Sequence, residues 1–117
     1  MYLWIHEVLD FNGGDDYAIE ILHQNLPQRV GTKLSTNTTD IKGGFPYRDE
    51  LEGIKKEKEV YIEYYFKKHS SQDIAHKLSY AKLFEPFNWI ILTGIYLDDI
   101  DYSITKKSQE LAPTYLI

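Results

Sequence analysis

Two runs of residues that favour β-strands lie near the start of the chain. Residues 2–8 form one such run, and residues 17–23 resume it after a polar break. That break contains the cluster NGGDD over residues 12–16, and Asn, Gly and Asp all tolerate the backbone angles of tight turns. The pattern predicts an antiparallel hairpin.

A polar stretch rich in Thr, Asn, Gly and Pro follows the hairpin, which predicts a long surface connection. Pro46 suits the first position of a helix. Tyr47, Leu51 and Ile54 then fall at positions i, i+4 and i+7, which is the spacing of one helical face. The sequence therefore predicts a short amphipathic helix that fades over residues 53–58.

Three further strands are predicted over residues 60–67, 77–84 and 89–96. A polar loop over residues 69–76 joins the first two of them. Asp98-Asp99 then provides an N-cap for a final helix. Strands joined by short turns indicate an antiparallel sheet with helices on one side, so we expect a single α+β domain of five strands.

Composition narrows the possible functions. The chain has 117 residues, of which 43% are hydrophobic, and that length fits one domain. Its formal charge of −5 argues against nucleic acid as a partner, because basic residues supply much of that affinity. The sequence contains no cysteine, which excludes disulfides, cysteine-bound zinc and a thiol nucleophile.

The sequence carries no recognisable catalytic motif. The pairs Gly13-Gly14 and Gly43-Gly44 are not followed by the Lys-Ser/Thr of a phosphate-binding loop. The four histidines lack the i, i+2 or i, i+4 spacing of a local metal site, and no Gly-x-Ser-x-Gly is present. We therefore expect neither an enzyme nor a cofactor or metal site.

Tyrosine is unusually frequent, with ten residues, most of them in predicted strands. Strand alternation places Tyr64 on one face of its strand with Val60, Ile62 and Phe66. Aromatic residues with polar tips and an inward lysine such as Lys77 are typical of a small-molecule site. A lysine ammonium with tyrosine hydroxyls would suit a small carboxylate.

Structural roles explain the same residues equally well. Tyr64 and Tyr80 can be core aromatics whose hydroxyls reach the edge of the sheet. Lys77 can be a solvated strand end, and His23 can cap a turn. The residues alone leave these alternatives open.

Several segments of the chain resemble Cache sensor domains. They are HQNLP (23–27) followed by Gly31, DIKG (40–43), EYYFKK (63–68), KLSYAK (77–82) and WIILTGIYLDDI (89–100). The Cache pattern has His-Pro after the second strand, where Gln24 replaces the proline here. It also has a tyrosine in the third strand, a Lys–Tyr pair in the fourth and a Trp-to-Gly-to-Tyr run in the fifth. The resemblance is to the single-Cache type.

This resemblance implies a PAS-like antiparallel sheet of five strands with a short helix in the connection between strands 2 and 3. It also implies an extracytoplasmic sensor of a membrane-anchored chemoreceptor, histidine kinase or diguanylate cyclase. Residues 1–101 would be the sensor domain, and residues 102–117 a C-terminal helix leading towards a membrane span. The long N-terminal helix of the family, which carries the dimer contact, has no counterpart in this sequence, so one face of the sheet would be bare or covered by another copy in a homodimer.

The resemblance also implies a pocket for a small organic ligand, such as a short carboxylate or an amino acid. By position, the candidate pocket residues are Tyr64, Lys77 and Tyr80, with Tyr2, Trp4 and His23 as supporting walls. Two functions follow from this: a ligand sensor that relays binding through its terminal helices, or a structural and dimerisation module without a small-molecule ligand.

Overall fold

One helix packs against a curved antiparallel sheet. The structure, a computed structural model, describes residues 2–67 and 73–97. Its elements in chain order are β1 (Tyr2–Val8), β2 (Ala18–His23), a 3₁₀ turn (Pro27–Arg29), β3 (Lys33–Leu34), α1 (Pro46–Glu57), β4 (Glu59–Lys67), β5 (Ile74–Phe84), a second 3₁₀ turn (Glu85–Phe87) and β6 (Trp89–Tyr96). The strands form one sheet in the order β3-β2-β1-β6-β5-β4, with antiparallel neighbours throughout.

This architecture confirms the predicted α+β class and the hairpin of the first two strands. Two details of the strands differ from the prediction. A sixth, two-residue strand, β3, pairs with β2 through Ala18↔Leu34 and Ile19↔Lys33. β5 begins at Ile74, so the end of the predicted loop is strand. The predicted final helix lies outside the described residues.

Helix α1 continues past the point where the sequence pattern fades. Leu51 and Ile54 are buried, and their packing against the sheet holds the helix through Gly53 to Glu57. The helix ends at Lys58, which adopts a left-handed conformation with φ 64° and donates its backbone N–H to the Ile54 carbonyl. Tertiary contact therefore outweighs the weak helix propensity of glycine.

Gly53 allows α1 to approach β4 closely, so we expect Gly53→Ala to destabilise the domain by about 1–3 kcal/mol. A Cβ at this position would lie 2.5 Å from Cβ of Val60. In a free helix the same change would stabilise by about 1 kcal/mol. Urea denaturation shows whether Gly53→Ala lowers or raises the free energy of unfolding. Glu52→Ala, on the exposed face of the same helix, is the control and should change stability by less than about 0.5 kcal/mol.

The hydrophobic core lies between α1 and the inner face of the sheet, the face that α1 covers. Its fully buried members include Trp4, Val8, Tyr17, Leu34, Leu51, Ile54, Ile62, Ala81, Ile90 and Leu92. Within residues 2–67 and 73–97, no helix is long and apolar enough to cross a membrane. Beside the core, on the same inner face, the sheet and α1 enclose a cavity.

Candidate functional site

The cavity has a volume of about 440 Å³. This volume is in the usual range for small-molecule sites. Its aromatic walls are Tyr2, Trp4, Tyr47, Tyr64, Tyr65, Phe66 and Tyr96. Its ionisable residues are His6, Glu20, His23, Arg29, Asp40, Glu50 and Lys77. The site therefore combines apolar walls with a few charged groups.

The structure brings five of the six candidate residues to this cavity. They are Tyr2, Trp4, His23, Tyr64 and Lys77. Tyr80 does not line it. Because side chains alternate along a strand, a residue three positions after Lys77 points to the opposite face. Tyr80 instead donates its hydroxyl to Oε2 of Glu59 at 3.0 Å, and its ring lies 4.9 Å from that of Tyr61.

Lys77 is buried rather than being a solvated strand end. Only 4% of it is exposed, and its ammonium lies 4.0 Å from the ring of Trp4 and 4.4 Å from that of Tyr2. Nζ also donates a hydrogen bond to the hydroxyl of Tyr2. Burial lowers the pKa of Lys77 to about 8, against a smaller opposing effect of Glu20. Among the described residues, no carboxylate lies within ion-pair distance of this ammonium.

Gly94 on β6 makes room for the Lys77 side chain. A Cβ at Gly94 would lie 2.7 Å from Cε of Lys77 and 3.0 Å from Oγ of Ser79. Ser79 in turn shares a 3.0 Å hydrogen bond with the hydroxyl of Tyr64. Burial raises the pKa of the Tyr64 hydroxyl, which therefore stays protonated and remains a potential donor.

Three buried ionisable residues, His6, Glu20 and Glu50, form a network at the cavity wall that the sequence reasoning missed. His6 Nδ1 lies 2.9 Å from Oε2 of Glu50, and His6 Nε2 lies 2.7 Å from Oε2 of Glu20. All three residues are only 2% exposed. A signal was present, since His6 alternates with Trp4 and Val8 on the inner face of β1, and Glu50 lies one turn before Ile54 on the buried face of α1.

The network holds a positive charge on His6. Burial alone would lower the pKa of His6, but Glu50 and Glu20 outweigh burial and raise it to about 9. Nδ1 then donates to Glu50 and protonated Nε2 lies in ion-pair contact with Glu20, so neither ring nitrogen has a lone pair for a metal. In the described part of the chain, no group of three His, Asp or Glu side chains could hold a metal ion.

His23 and Arg29 lie beside Glu20. His23 accepts the backbone N–H of Leu26 at Nδ1, at 2.9 Å, so it caps a turn as well as lining the cavity. Burial lowers the pKa of His23, which favours the neutral ring. Arg29 Nε lies 3.5 Å from Oε1 of Glu20, and its Nη2 donates to the hydroxyl of Tyr47 at 3.3 Å.

Among the described residues that line the cavity, one cation has no carboxylate within ion-pair distance. Protonated His6 and Arg29 face the two carboxylates of Glu20 and Glu50, while Asp40 uses its carboxylate oxygens on backbone N–H groups. Asp40 keeps its negative charge, so the charges of the lining sum to zero, but the buried Lys77 ammonium pairs directly with none of these carboxylates. The cavity therefore presents a buried ammonium beside apolar and aromatic walls.

Three solved structures share this fold. One, described as a periplasmic sensor domain of a chemotaxis protein, has a TM-score of 0.61 and 19% identity over 80% of this chain and 59% of its own. Another concerns carboxylic acid recognition by a Cache chemosensory domain, with a TM-score of 0.62 and 23% identity over 80% and 58%. A methyl-accepting chemotaxis protein from Vibrio parahaemolyticus RIMD 2210633 has a TM-score of 0.60 and 26% identity over 84% and 60%. The chain thus spans about three-fifths of the length of these structures.

The sequence also matches the Cache domain family profile over residues 2–112, nearly the whole chain. This match confirms the predicted family, and together with the neighbouring structures it supports an extracytoplasmic location. The single-Cache subtype and the boundary at residue 101 stay predictions. The chain belongs to the Cache domain family.

Proposed function

We propose that this Cache domain is the ligand-binding part of a membrane-anchored receptor and that its cavity binds a small organic carboxylate. The observation that supports this most directly is Lys77, a buried ammonium without a carboxylate partner among the described residues. A ligand carboxylate would supply that partner through charge-assisted hydrogen bonds. The carboxylic acid recognition described for one neighbouring structure supports the same class of ligand. This role is binding rather than catalysis.

The charges and the apolar lining of the cavity favour a monocarboxylate with a short apolar tail. One unpaired cation matches one negative charge, and a second carboxylate would meet Glu20 or Glu50. Ile62 and Leu92 also line the cavity and offer apolar contact to such a tail. Short fatty, hydroxy and oxo acids fit this description.

Binding at this cavity would reach the start of the first described strand and the end of the last one. Tyr2 begins β1, Tyr96 ends β6, and both line the cavity. The two strands pair directly, with Tyr2 opposite Gly94. A ligand that contacts these tyrosines would favour one arrangement of the segments that continue from the sheet, by a shift in population.

The test is thermal unfolding of the full chain with acetate, propionate, lactate and pyruvate. At 100 times its dissociation constant, a ligand adds about 2.7 kcal/mol to stability, which should raise Tm by several degrees. Acetamide and propionamide are the matched controls, because they keep the shape and lack the charge. Equal shifts with acids and amides would refute recognition of the charge by Lys77.

No shift with any of the four acids would favour a structural and dimerisation module instead. The outer face of the sheet, which α1 does not cover, supports this alternative, since it exposes apolar side chains such as Tyr61, Ile74 and Phe84. A homodimer stays a prediction, which sedimentation of the same samples would test.

A further inference from the structure

One wall of the cavity is an irregular segment between β3 and α1, which we call the pocket loop (residues 38–44). Its residues Thr38, Thr39, Asp40 and Ile41 line the cavity. No regular secondary structure supports this segment, so its position depends on individual contacts.

The carboxylate of Asp40 makes three of those contacts, beside backbone hydrogen bonds within the turn between Asp40 and Gly44. Its Oδ1 accepts the backbone N–H groups of Lys42 at 2.9 Å and Gly44 at 2.8 Å. Its Oδ2 accepts the backbone N–H of Tyr65 on β4 at 3.1 Å. One side chain therefore folds the pocket loop and also ties it to the sheet.

The hydrogen bond between Asp40 and the Tyr65 N–H lies at an edge of the sheet. β4 is the last strand in the sheet order, so its N–H groups that point away from β5 have no neighbouring strand to bond. Tyr65 directs its N–H outward to Asp40, and the ammonium of Lys42 lies 4.2 Å from the ring of Tyr65. The edge strand thus provides a fixed anchor beside the cavity.

We propose that Asp40 is a positioning residue for the binding site: its carboxylate holds the pocket loop against β4 and thereby slows the release of a bound carboxylate. The dependence on a ligand rests on the proposed function, whereas the attachment of the loop does not. Asp40 does not contact Lys77, so a change at Asp40 would not affect binding by displacing the Lys77 ammonium.

The negative charge of Asp40 and its attachment of the pocket loop predict opposite effects of an Asp40 substitution on ligand binding. The backbone donors outweigh the effect of partial burial and lower the pKa of Asp40, so the side chain carries a negative charge at the cavity wall. If Asp40 acted only through that charge, removing it would strengthen binding of an anion. If Asp40 attaches the loop, its removal should weaken binding.

The experiment compares Asp40→Asn and Asp40→Glu with the wild type by stopped-flow tryptophan fluorescence, because Trp4 lines the cavity. The probes are acetate, propionate, lactate and pyruvate. We expect dissociation to become about tenfold faster in both variants, since one removes the charged acceptor and the other displaces it. Asp10→Asn is the matched control, because Asp10 also accepts a backbone N–H, from Asn12, but does not line the cavity. Unchanged or slower dissociation in Asp40→Asn would overturn the proposal.

Backbone amide hydrogen exchange gives a second readout that needs no ligand. The Tyr65 amide should exchange slowly in the wild type and Asp10→Asn, and much faster in Asp40→Asn, with Tm little changed. If the wild type binds none of the four acids, the proposed function fails, and loss of protection in Asp40→Asn would still support attachment of the loop. Equally fast exchange in wild type and Asp40→Asn would refute that attachment.

Discussion

Replacing Lys77 with methionine is expected to weaken carboxylate binding strongly while making the ligand-free domain more stable. Methionine keeps much of the length of the side chain and removes the ammonium. Charge-assisted hydrogen bonds are worth about 1.5–3 kcal/mol each, so losing one should weaken binding by about 10- to 150-fold. Titration calorimetry with the acids that shift Tm measures this loss.

The stability of the ligand-free domain should change in the opposite direction. The pKa of Lys77 falls from 10.5 to about 8 on folding, so the charged side chain is disfavoured in the folded state at neutral pH. At about 1.36 kcal/mol per pKa unit, this penalty is at most roughly 3 kcal/mol, and the contacts with Trp4 and Tyr2 offset part of it. We expect Lys77→Met to raise the free energy of unfolding by about 1–3 kcal/mol in urea at pH 7.

The same pKa gives a pH dependence of binding. The ammonium of the ligand-free wild type is lost as pH rises through about 8. Affinity for an anion should therefore fall up to about tenfold per pH unit above that value. Affinity that stays constant from pH 7 to 10 would contradict a role for the Lys77 charge.

Lys82→Met is the matched control for these measurements. Lys82 lies on the same strand as Lys77 and is exposed on the opposite face. Lys82→Met removes the same charge as Lys77→Met, so a general effect of net charge on anion binding would appear in both variants. We expect binding within about twofold of wild type in Lys82→Met. A similar loss of affinity in both variants would argue against a specific site at Lys77.

Strand periodicity predicted the part of the site that depends on local sequence. Alternation along β4 and β5 correctly placed Tyr64 and Lys77 towards the interior. Applied to β5, the same alternation places Tyr80 on the opposite face from Lys77, whereas the resemblance to the family added Tyr80 through its Lys–Tyr pair. The period of two was the stronger physical argument, because no strand can direct both Lys77 and Tyr80 to one face without a bulge.

The remaining features depend on contacts between distant parts of the chain. β3 is only two residues long, and its pairing with β2 becomes visible only when the polar connection is folded. His6 and Glu50 are 44 positions apart in sequence, and α1 must dock before they meet. Composition and spacing report local structure, so they could indicate an inward polar residue but not its partner.

The His6, Glu20 and Glu50 network should contribute strongly to stability, and only as a complete set. His6→Gln leaves two buried carboxylates without their shared cation, which should destabilise the domain by about 3–5 kcal/mol. Replacing all three residues together, as His6→Leu, Glu20→Met and Glu50→Leu, removes the buried charges and should cost far less. Urea denaturation at pH 7 compares the two variants. Equal destabilisation by both would show that packing, rather than charge pairing, dominates.

The pH dependence separates the network from other titrating groups. Folding raises the pKa of His6 from 6.5 to about 9, so its contribution is complete below pH 6.5 and is lost as pH rises through 9. Between pH 6.5 and 8 the unfolding free energy should fall by up to about 1.36 kcal/mol per unit in the wild type. Lys77 has the opposite sign and acts mainly above pH 8, and the lowered pKa of His23 confines its effect to lower pH. The triple variant should lack this slope, and a slope that persists in it would have to come from another group.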